Sequence, residues 1–415
     1  MDAGTQGHVP SVLGTMKRKE RKKALVLTEV FYPEDFLIND LARQWEKDGY
    51  DFEVLTRAPS YPYGKVYEGY KNRIYQTTFF NTIKIHRFPV LQGYQRRVLI
   101  KILNYLSFVF WSICIVLSIG RRFDRVFIFQ TGPLTLATAG ILMKKLFGAK
   151  VIIWTQDLWP ETVYAYGFRK TRLLFFCLDK FVKWVYKNCD SILVSCEGFT
   201  ERIHQYVPGK RIDFAPNWSL MEYAPKGKAE LPGKFNFTFA GNVGKVQNLD
   251  NVVSGFGRFV TGHPDVWLNI IGDGSYLPEL KSLVEREGIP NVNFTGRKPI
   301  EEMSDYYEAS DVLIISLKNV PLYEIMIPSK FQAYLTTRKP MFAIFNGEVR
   351  KMVEQYRVGL GAVPDDVDDI AKGFSSFLAL SADERGSMSE AVISLSSLFD
   401  RKRIVSMINS HVWYE

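Results

Sequence analysis

The sequence predicts an α/β protein made of two doubly wound, Rossmann-like domains that face each other across a cleft. The chain has 415 residues, of which 47% are hydrophobic, and this length exceeds the size at which one hydrophobic core stops growing. Short apolar runs alternate with longer helical patterns, which is typical of parallel sheets with crossover helices. The alternation stops between residues 211 and 232, a proline-containing stretch, and then begins again. Two successive domains are therefore expected.

The predicted strands are short runs rich in β-branched and aromatic residues, and longer helical stretches separate them. In the first half, the strands are 24–28, 52–56, 125–130, 150–155 and 191–195, and the helices include 39–48, 136–147 and 171–187. In the second half, the strands are 235–240, 267–272, 292–295, 311–316, 340–345 and 360–363. In such sheets ligands bind beyond the carboxyl ends of the strands, so we expect a ligand cleft there.

The expected organisation has five parts. They are a flexible basic leader at residues 1–23, a first domain at 24–215, a linker at 216–232, a second domain at 233–395 and a final helix at 396–415. The basic run in the leader is interpreted as a solvated tail, and contact with lipid headgroups is the alternative. No secretory signal precedes the first strand, so we expect the protein to stay in the cytoplasm.

Composition excludes several classes of protein. The net charge is +9, but apart from the leader the positive residues are dispersed, so no nucleic-acid-binding surface is expected. The cysteines are too few and too scattered for a disulfide framework or a zinc knuckle. We expect all four to be reduced core residues, and they are Cys114, Cys177, Cys189 and Cys196. The five histidines show no metal-binding spacing.

The apolar segment at residues 98–119 does not fit a plain soluble domain. It approaches the ~20 apolar residues that a bilayer span requires. A span is rejected because the strands on both sides must pair in one sheet. A buried crossover helix is one alternative, but a helix lying in one leaflet is favoured by its aromatic residues and cationic flanks. The residues expected to contact lipid are Tyr105, Phe108, Phe110 and Trp111.

The segment at residues 327–340 is the most informative part of the chain. It predicts a helix that begins at Pro328, Ser329 and Lys330 and ends before Pro340. Backbone N–H groups and the helix dipole favour an anion at such a start, Ser329 can cap it, and Lys330 adds a full charge. Many helices begin this way for stability alone, so the surrounding sequence decides between the two interpretations.

Three glycine-containing turns follow predicted strands of the second domain, and they surround that helix start if the sheet is parallel. They are 241–248, 271–275 and 294–297, and the last ends with Arg297. Glycine lets the backbone approach a diphosphate closely, and Lys245 in the first turn can neutralise it. Each turn alone is more often structural than functional. Their convergence with Lys330 favours an anion site.

Ordered motifs run through both halves of the chain. The second half contains Gly-Asn-x-Gly, Gly-Asp-Gly, Asn-Val-x-Phe-x-Gly-Arg, Ala-Ser-Asp-Val, Pro-Ser-Lys-x-x-x-Tyr-Leu and Lys-Pro, and the first contains Phe31-Tyr32-Pro33-Glu34 and Asp157-Leu158-Trp159-Pro160-Glu161. Over about residues 24–395 the chain resembles the family 4 nucleotide-sugar glycosyltransferases, in the branch that builds bacterial O-antigen and capsule units. The resemblance implies the GT-B fold, retention at the anomeric carbon, no required metal or other cofactor, and a final helix that returns to the first domain.

The resemblance also implies which residues bind the donor. The expected donor-binding residues are Gly241, Asn242, Gly244, Lys245, Gln247, Gly272, Gly274, Arg297, Ser329 and Lys330. Many relatives carry a pair of glutamates separated by seven residues. Counting from Glu324 places Gln332 at the second position, and alignment on the Tyr-Leu motif places Ala333 there. The acid pair is therefore not intact, and Glu324 is kept with Lys330 as a candidate catalytic residue.

Acceptor chemistry is expected in the first domain. Asp157 follows a predicted strand, where a carboxylate can orient or deprotonate the attacking hydroxyl, and the alternative is that it caps the next helix. The expected acceptor contacts are Glu34, Asp35, Tyr61 and Tyr63.

The expected function is transfer of a sugar from a nucleotide diphosphate donor, of the uridine class, to a saccharide linked to polyprenyl diphosphate. The reaction is expected at the cytoplasmic face of the inner membrane. A nucleotide-sugar 2-epimerase is an alternative, but it requires a set of carboxylates and a histidine that the sequence does not offer. A non-catalytic, sugar-nucleotide-binding scaffold subunit of a polysaccharide assembly complex is the other alternative.

Overall fold

The computed structural model describes residues 22–93, 98–165 and 171–414, so most of the basic leader lies outside the described residues. The first half forms a sheet whose strands are β1 (Lys23–Thr28), β2 (Asp51–Arg57), β3 (Gln76–Phe80), β4 (Ile83–Phe88), β5 (Arg125–Gln130), β6 (Lys150–Thr155), β7 (Ser191–Val194) and β8 (Ile212–Phe214). Their order is β3-β4-β2-β1-β5-β6-β7-β8. Every neighbouring pair is parallel except β3 and β4.

Helices cover both faces of this sheet. They are α1 (Leu37–Lys47), α2 (Val98–Ile119), α3 (Ala137–Phe147), α4 (Glu161–Ala165), α5 (Arg172–Asn188) and α6 (Gly198–His204). The alternation of side chains along β1 decides which helices pack where. Ala24 and Val26 join the hydrophobic cluster that contains α1. Leu25 and Leu27 join the cluster that contains residues of α2, α3 and α5.

The second half forms a separate parallel sheet of six strands. These are β9 (Phe235–Ala240), β10 (Val266–Ile271), β11 (Val292–Gly296), β12 (Val312–Ser316), β13 (Met341–Ile344) and β14 (Gly359–Ala362), in the order β11-β10-β9-β12-β13-β14. The helices are α7 (Leu249–Val260), α8 (Leu277–Glu287), α9 (Met303–Glu308), α10 (Pro321–Glu324), α11 (Ser329–Leu335), α12 (Glu348–Gln355), α13 (Val367–Ala379), α14 (Ala382–Ser396) and α15 (Arg401–Asn409). The prediction of two doubly wound domains is therefore confirmed.

The end of the chain packs against the first domain. The indole nitrogen of Trp45 in α1 donates to Asn409 Oδ1 at 2.6 Å. Trp413, in a π-helical turn after α15, stacks on Tyr50 with ring centroids 4.5 Å apart. Arg401 at the start of α15 pairs with Asp40 of α1 at 2.7 Å. These contacts tie the C-terminal segment to the face of the first sheet that α1 covers.

The two domains also meet directly, at the loop that follows β7. The backbone N–H of Ile327 contacts Cys196 Sγ at 3.2 Å. The Glu348 carboxylate accepts from the backbone N–H groups of Glu197 at 2.8 Å and Gly198 at 3.0 Å. The segment that precedes α11 is therefore fixed against the carboxyl-terminal edge of the first sheet.

All strands expected from the sequence are present, and three strands were missed. β3 and β4 form a hairpin whose turn contains Asn81 with a φ of 51°. β8 (Ile212–Phe214) pairs with β7 and extends the first sheet, within the bounds of 24–215 expected for the first domain. The expected burial of four cysteines is wrong for two of them, because Cys114 on α2 and Cys177 on α5 are exposed.

α2 combines a buried face with an exposed apolar face. By length and composition alone, residues 100–122 could cross a membrane. The strands that flank α2, β4 and β5, belong to the same sheet, so the helix does not carry the chain across a bilayer. Phe108 is 3% exposed and packs against Phe88 with ring centroids 4.8 Å apart. This contradicts its expected contact with lipid, whereas Phe110 is 58% exposed, and Tyr105 and Trp111 are half-buried.

Candidate active site

Three loops at the carboxyl ends of β9, β10 and β11 are joined by backbone hydrogen bonds. The Gly241 N–H donates to Ile271 O at 2.8 Å, and the Gly272 N–H donates to Gly296 O at 2.9 Å. A Cβ atom on Gly272 would lie 1.9 Å from Gly241 O, and one on Gly274 would lie 2.3 Å from Val243 O. Gly272 and Gly274 are therefore needed for the packing of these loops, because any side chain would force them apart.

Lys330 lies against the first of these loops. Its Nζ donates to Gln247 Oε1 at 2.6 Å and lies 4.5 Å from the centroid of the Phe239 ring. A Cβ atom on Gly241 would lie 2.5 Å from Lys330 Cε. Tyr334, one helical turn further along α11, accepts from the Ala240 N–H at 3.1 Å. These contacts hold α11 and its lysine at the carboxyl end of β9.

Burial lowers the pKa of Lys330 to about 8. The nitrogen has a neutral amide and an aromatic face as neighbours, and neither compensates a full charge as a carboxylate would. An anionic ligand beside this nitrogen would favour the protonated form and raise the pKa again. The position is therefore suited to a group that carries negative charge.

Several other expected donor residues lie on the loop that contacts Lys330 or next to Lys330 in the chain. Asn242 and Lys245 are exposed on the first loop, and Ser329 is exposed at the start of α11. Gly244 is buried behind them. Arg297 is exposed after β11, which is an edge strand two positions from β9. The structure thus groups most of the predicted donor residues around Lys330 but places Arg297 further along the edge.

α11 differs in detail from the predicted helix. Pro328 is its N-cap, Ser329 makes no side-chain cap hydrogen bond, and the helix ends at Leu335, so the expected capping role of Ser329 is wrong. The side-chain amide of Gln332 is buried and lies 3.0 Å from Pro328 O and 3.1 Å from Ser329 O, and we assign its nitrogen to that side because two carbonyl oxygens require a donor. Gln332 therefore stabilises the first turn of the helix from inside. With only seven residues in the helix, the lysine and the loops, more than the dipole, supply the positive potential.

A cavity of about 630 Å³ opens beside this region. Its wall comes mainly from the carboxyl-terminal edge of the first sheet, and two residues of the second domain complete it. The lining includes Glu29, Phe36, Arg57, Tyr61, Lys101, Tyr105, Gly132, Asp157, Asn217, Met326 and Ile327. Because Ile327 precedes Lys330 by only three residues, one short segment connects the cavity to the loop that Lys330 contacts.

Asp157 is held at the cavity by the loop that follows β5. The Gly132 N–H donates to Asp157 Oδ2, and the side-chain amide of Gln130 donates to Asp157 O at 3.0 Å. Among the described residues the carboxylate bonds to this neighbouring loop and not to the first turn of α4, so capping is not its observed role. Burial raises the pKa of Asp157, and the Gly132 N–H opposes that rise. A raised pKa makes the carboxylate a stronger proton acceptor.

Glu29 and Arg57 line the cavity but were not among the residues predicted from the sequence. Glu29 follows β1 directly and pairs with Arg57 Nη1 at 3.0 Å. A Cβ atom on Gly132 would lie 2.6 Å from Glu29 Oε2, so Glu29 and Asp157 approach Gly132 from two sides. Burial raises the pKa of Glu29, and the charge of Asp157 adds to that rise. Their position in the sequence could have identified them, because Glu29 and Arg57 lie at the carboxyl ends of predicted parallel strands, where ligands bind.

Of the expected acceptor residues, the structure brings only Tyr61 to the cavity. Glu34 is 1% exposed, and its carboxylate accepts from the backbone N–H groups of Phe31, Ser60 and Tyr61. It joins the loops after β1 and β2, so its expected acceptor contact is contradicted. Asp35 is exposed outside the cavity lining, and Tyr63 is 79% exposed on a separate depression.

Glu324 is not brought together with Asp157. Its side chain lines a different depression, together with Glu197, Glu348 and Lys351. Within the residues that the structure describes, no group of three or more His, Cys, Asp or Glu side chains is arranged to hold a metal ion.

Comparisons with known proteins agree with this architecture. Residues 37–218 match the family described as "Glycosyl transferase 4-like domain", and residues 224–394 match "Glycosyl transferases group 1". WbjE of Pseudomonas aeruginosa, named a probable glycosyltransferase, is 23% identical over 289 residues, which is 66% of this chain and 71% of WbjE.

A second relative and a solved structure extend the comparison. WcaI of Escherichia coli K12, whose name assigns it to colanic acid biosynthesis, is 23% identical over 298 residues, 68% of this chain and 72% of WcaI. The structure of Anabaena HepE in complex with UDP and glucose superposes with a TM-score of 0.63 at 13% identity and covers 94% of this chain and 99% of that one. The chain therefore belongs to the family 4, group 1 glycosyltransferases, has their GT-B fold, and is related to bacterial polysaccharide glycosyltransferases.

Proposed function

We propose that the protein transfers a sugar, with retention of anomeric configuration, from a uridine diphosphate donor to a lipid-linked saccharide during synthesis of a bacterial surface polysaccharide of the O-antigen or capsule type. The observation that carries the proposal is the position of Lys330. Its ammonium group lies against the Gly241 loop, with Nζ 2.6 Å from Gln247 Oε1, three residues from the cavity that holds Asp157. A donor phosphate at Lys330 would therefore place its sugar at the cavity.

In this proposal the bond between the anomeric carbon and the diphosphate oxygen breaks, and a bond to the acceptor hydroxyl oxygen forms. Negative charge develops on the departing diphosphate, where fixed positive groups give the largest catalytic benefit. Lys330 and the exposed Lys245 supply that charge, so we propose that no resident metal or other cofactor is required. Asp157 orients the acceptor hydroxyl and accepts its proton.

The uridine class of donor and the polysaccharide acceptor are supported by the relatives. HepE was solved with UDP and glucose, and WcaI is named for colanic acid biosynthesis. The fold of the former and the sequence of the latter are similar to this chain, so we propose the same classes of ligand for it.

The proposed acceptor is attached to polyprenyl diphosphate, and the proposed location is the cytoplasmic face of the inner membrane. Apolar side chains of α2 are exposed, with Leu106 and Phe110 each 58% accessible, and Leu173 and Phe176 are exposed on α5. The helices α2, α3 and α5 and the short turn after α2 carry the basic residues Lys101, Arg121, Arg122, Lys144, Lys145, Arg172, Lys180, Lys183 and Lys187, against the single acidic residue Asp179. An apolar surface with an excess of cations suits an anionic membrane.

Replacement of Leu106 and Phe110 by serine is expected to release the protein from anionic vesicles. Each side chain contributes about 1.5 kcal/mol or more when it enters an apolar phase, which corresponds to about a tenfold change in the dissociation constant. Co-sedimentation with vesicles of phosphatidylglycerol and phosphatidylethanolamine measures the effect. As a control, Phe108→Ser should lower the melting temperature, because Phe108 is buried. Unchanged sedimentation of the double variant would contradict the proposed surface.

The proposed reaction is tested by nucleoside diphosphate release from a panel of uridine, guanosine and thymidine diphosphate sugars. With a lipid-diphosphate saccharide present, we expect release from a uridine diphosphate sugar, a product with retained configuration by NMR, and no loss of rate in EDTA. If no sugar nucleotide in the panel releases its diphosphate in the presence of lipid-linked acceptors, the proposed function is wrong. A product of inverted configuration would overturn the proposed retention, and loss of rate in EDTA would overturn the proposed independence of a metal ion.

A further inference from the structure

We propose that Lys101 and Tyr105, in the first turns of α2, form the subsite for the diphosphate group of the acceptor. The inference rests on the proposed function, because it takes the acceptor to be a saccharide joined to a lipid through a diphosphate. It assigns to these residues a ligand that differs from the donor diphosphate, which lies at Lys330.

The two faces of α2 support this assignment. Lys101 and Tyr105 are four residues apart, so they project from the same side of the helix, and both line the 630 Å³ cavity. Ile102, Leu103 and Leu106 in the same turns are exposed. The same short part of α2 therefore forms a wall of the cavity on one side and an uncovered apolar surface on the other.

The groups of the acceptor follow one another in the same order as the cavity, Lys101 with Tyr105, and the apolar surface of α2. Its reacting hydroxyl belongs to the saccharide, the diphosphate follows, and the apolar chain comes last. With the hydroxyl at Asp157 and the apolar chain on the exposed side of α2, the diphosphate lies between them. Lys101 and Tyr105 stand at that boundary and offer an ammonium group and a phenol hydroxyl, both hydrogen-bond donors to phosphate oxygens.

The charges around the cavity favour Lys101 over Arg57 for this role. The cavity lining includes the carboxylates of Glu29 and Asp157 and the cations of Arg57 and Lys101. Arg57 is 2% exposed and pairs with Glu29 at 3.0 Å, so its position is fixed in the floor of the cavity. Lys101 is half-buried, is followed in the chain by the exposed Ile102, and interacts with Glu29 through its charge. Partial burial lowers the pKa of Lys101, and a phosphate at hydrogen-bond distance would oppose that effect.

The test compares two water-soluble acceptors that carry the same saccharide. One has a short prenyl chain joined through a diphosphate, and the other is an alkyl glycoside without phosphate. For Lys101→Met we expect KM for the diphosphate acceptor to rise by about ten- to a hundredfold, the range for loss of a charged hydrogen bond. KM for the alkyl glycoside and kcat for both acceptors should change by less than about twofold on the same grounds, and Lys101→Arg should recover most of the affinity.

Lys234→Met serves as the matched control, because Lys234 is exposed in the second domain and lies outside the cavity lining. Equal loss on both acceptors, or no loss on either, would overturn the assignment of Lys101. Both outcomes require a wild-type protein that is active, so they can be distinguished from failure of the proposed function. In that case the wild-type protein would release no nucleoside diphosphate with either acceptor, and both proposals would fall together.

Discussion

Replacement of Lys330 by methionine is expected to lower kcat by about 10²–10³-fold, which is the usual effect of removing one preorganised group that stabilises developing negative charge. Lys330 Nζ contacts the first donor loop through Gln247 and lies over the Phe239 ring. Methionine preserves most of the side-chain volume beneath Gly241, so the loop packing survives while the charge is lost. Steady-state release of nucleoside diphosphate, with circular dichroism and thermal melting of the variant, measures both properties.

The pH dependence of the wild-type enzyme gives a second readout for Lys330. The pKa of Lys330 is lowered to about 8 by burial, so kcat/KM should fall as the pH rises through about 8 and the ammonium group loses its proton. The alkaline limb of the kcat profile should lie at higher pH, because a bound diphosphate favours the protonated form. Lys330→Arg, which stays charged, should retain activity beyond that pH.

Folding stability is expected to depend on pH with the opposite sign to activity. Between pH 8 and the pKa of an unfolded lysine, the unfolded state binds more protons at this position, so the contribution of Lys330 to stability rises with pH. Lys330→Met should therefore be no less stable than the wild type at pH 7. Retained turnover in a folded Lys330→Met enzyme would contradict the catalytic role of Lys330. Lys281→Met, an exposed lysine on α8, is the control with unchanged turnover.

Asp157→Asn is expected to lower kcat by about 10²–10⁴-fold, the range for loss of a positioned general base. The amide oxygen can still accept from the Gly132 N–H that now binds Asp157 Oδ2, so the loop after β6 should keep its position. The proposed donor site is formed by other residues, so KM for the sugar nucleotide should stay within about twofold.

The pH profile separates a base from a residue that only positions the loop. Burial raises the pKa of Asp157, so the wild-type rate should fall on the acid side as the carboxylate takes up a proton. The acid limb should shift or disappear in Asp157→Asn. If the variant keeps its rate and the same acid limb, Asp157 is not the base. Asp265→Asn, which changes an exposed carboxylate of the second domain, provides the control.

The fold could be predicted from the sequence because its signals are local. The buried strands of a doubly wound sheet are apolar runs of four to seven residues here, and helices separate them; both patterns are visible without tertiary information. β3 and β8 were missed because they lie at the edges of the sheet, where burial is incomplete and the apolar pattern is weak. β4 lies inside the sheet and is mostly buried, but Lys84, His86 and Arg87 interrupt its apolar pattern. The three loops proposed to bind the donor could be predicted because glycines recur after consecutive strands.

The roles of the carboxylates and aromatic residues could not be predicted from local sequence patterns. Glu34 and Asp157 both follow strands of the first sheet, yet Glu34 is enclosed by three backbone N–H groups and Asp157 borders the cavity. Phe108 and Phe110 are two residues apart on one apolar helix, yet one is buried and the other is exposed. These differences depend on which loops and helices pack beside each residue.

The sequence by itself determined the two domains, their parallel sheets, the family and the segment around Lys330, because each follows from periodicity, chain length or an ordered set of motifs. Only the tertiary structure decided that Glu29, Arg57 and Lys101 share a cavity with Asp157, and that Lys330 lies against Gln247. Residues 29 and 157 lie in loops after two different strands, residue 57 ends a third strand and residue 101 lies on a helix, so no local pattern encodes the distances between them. Their meeting is fixed by strand order and by the packing of the loops around Gly132 and Gly241.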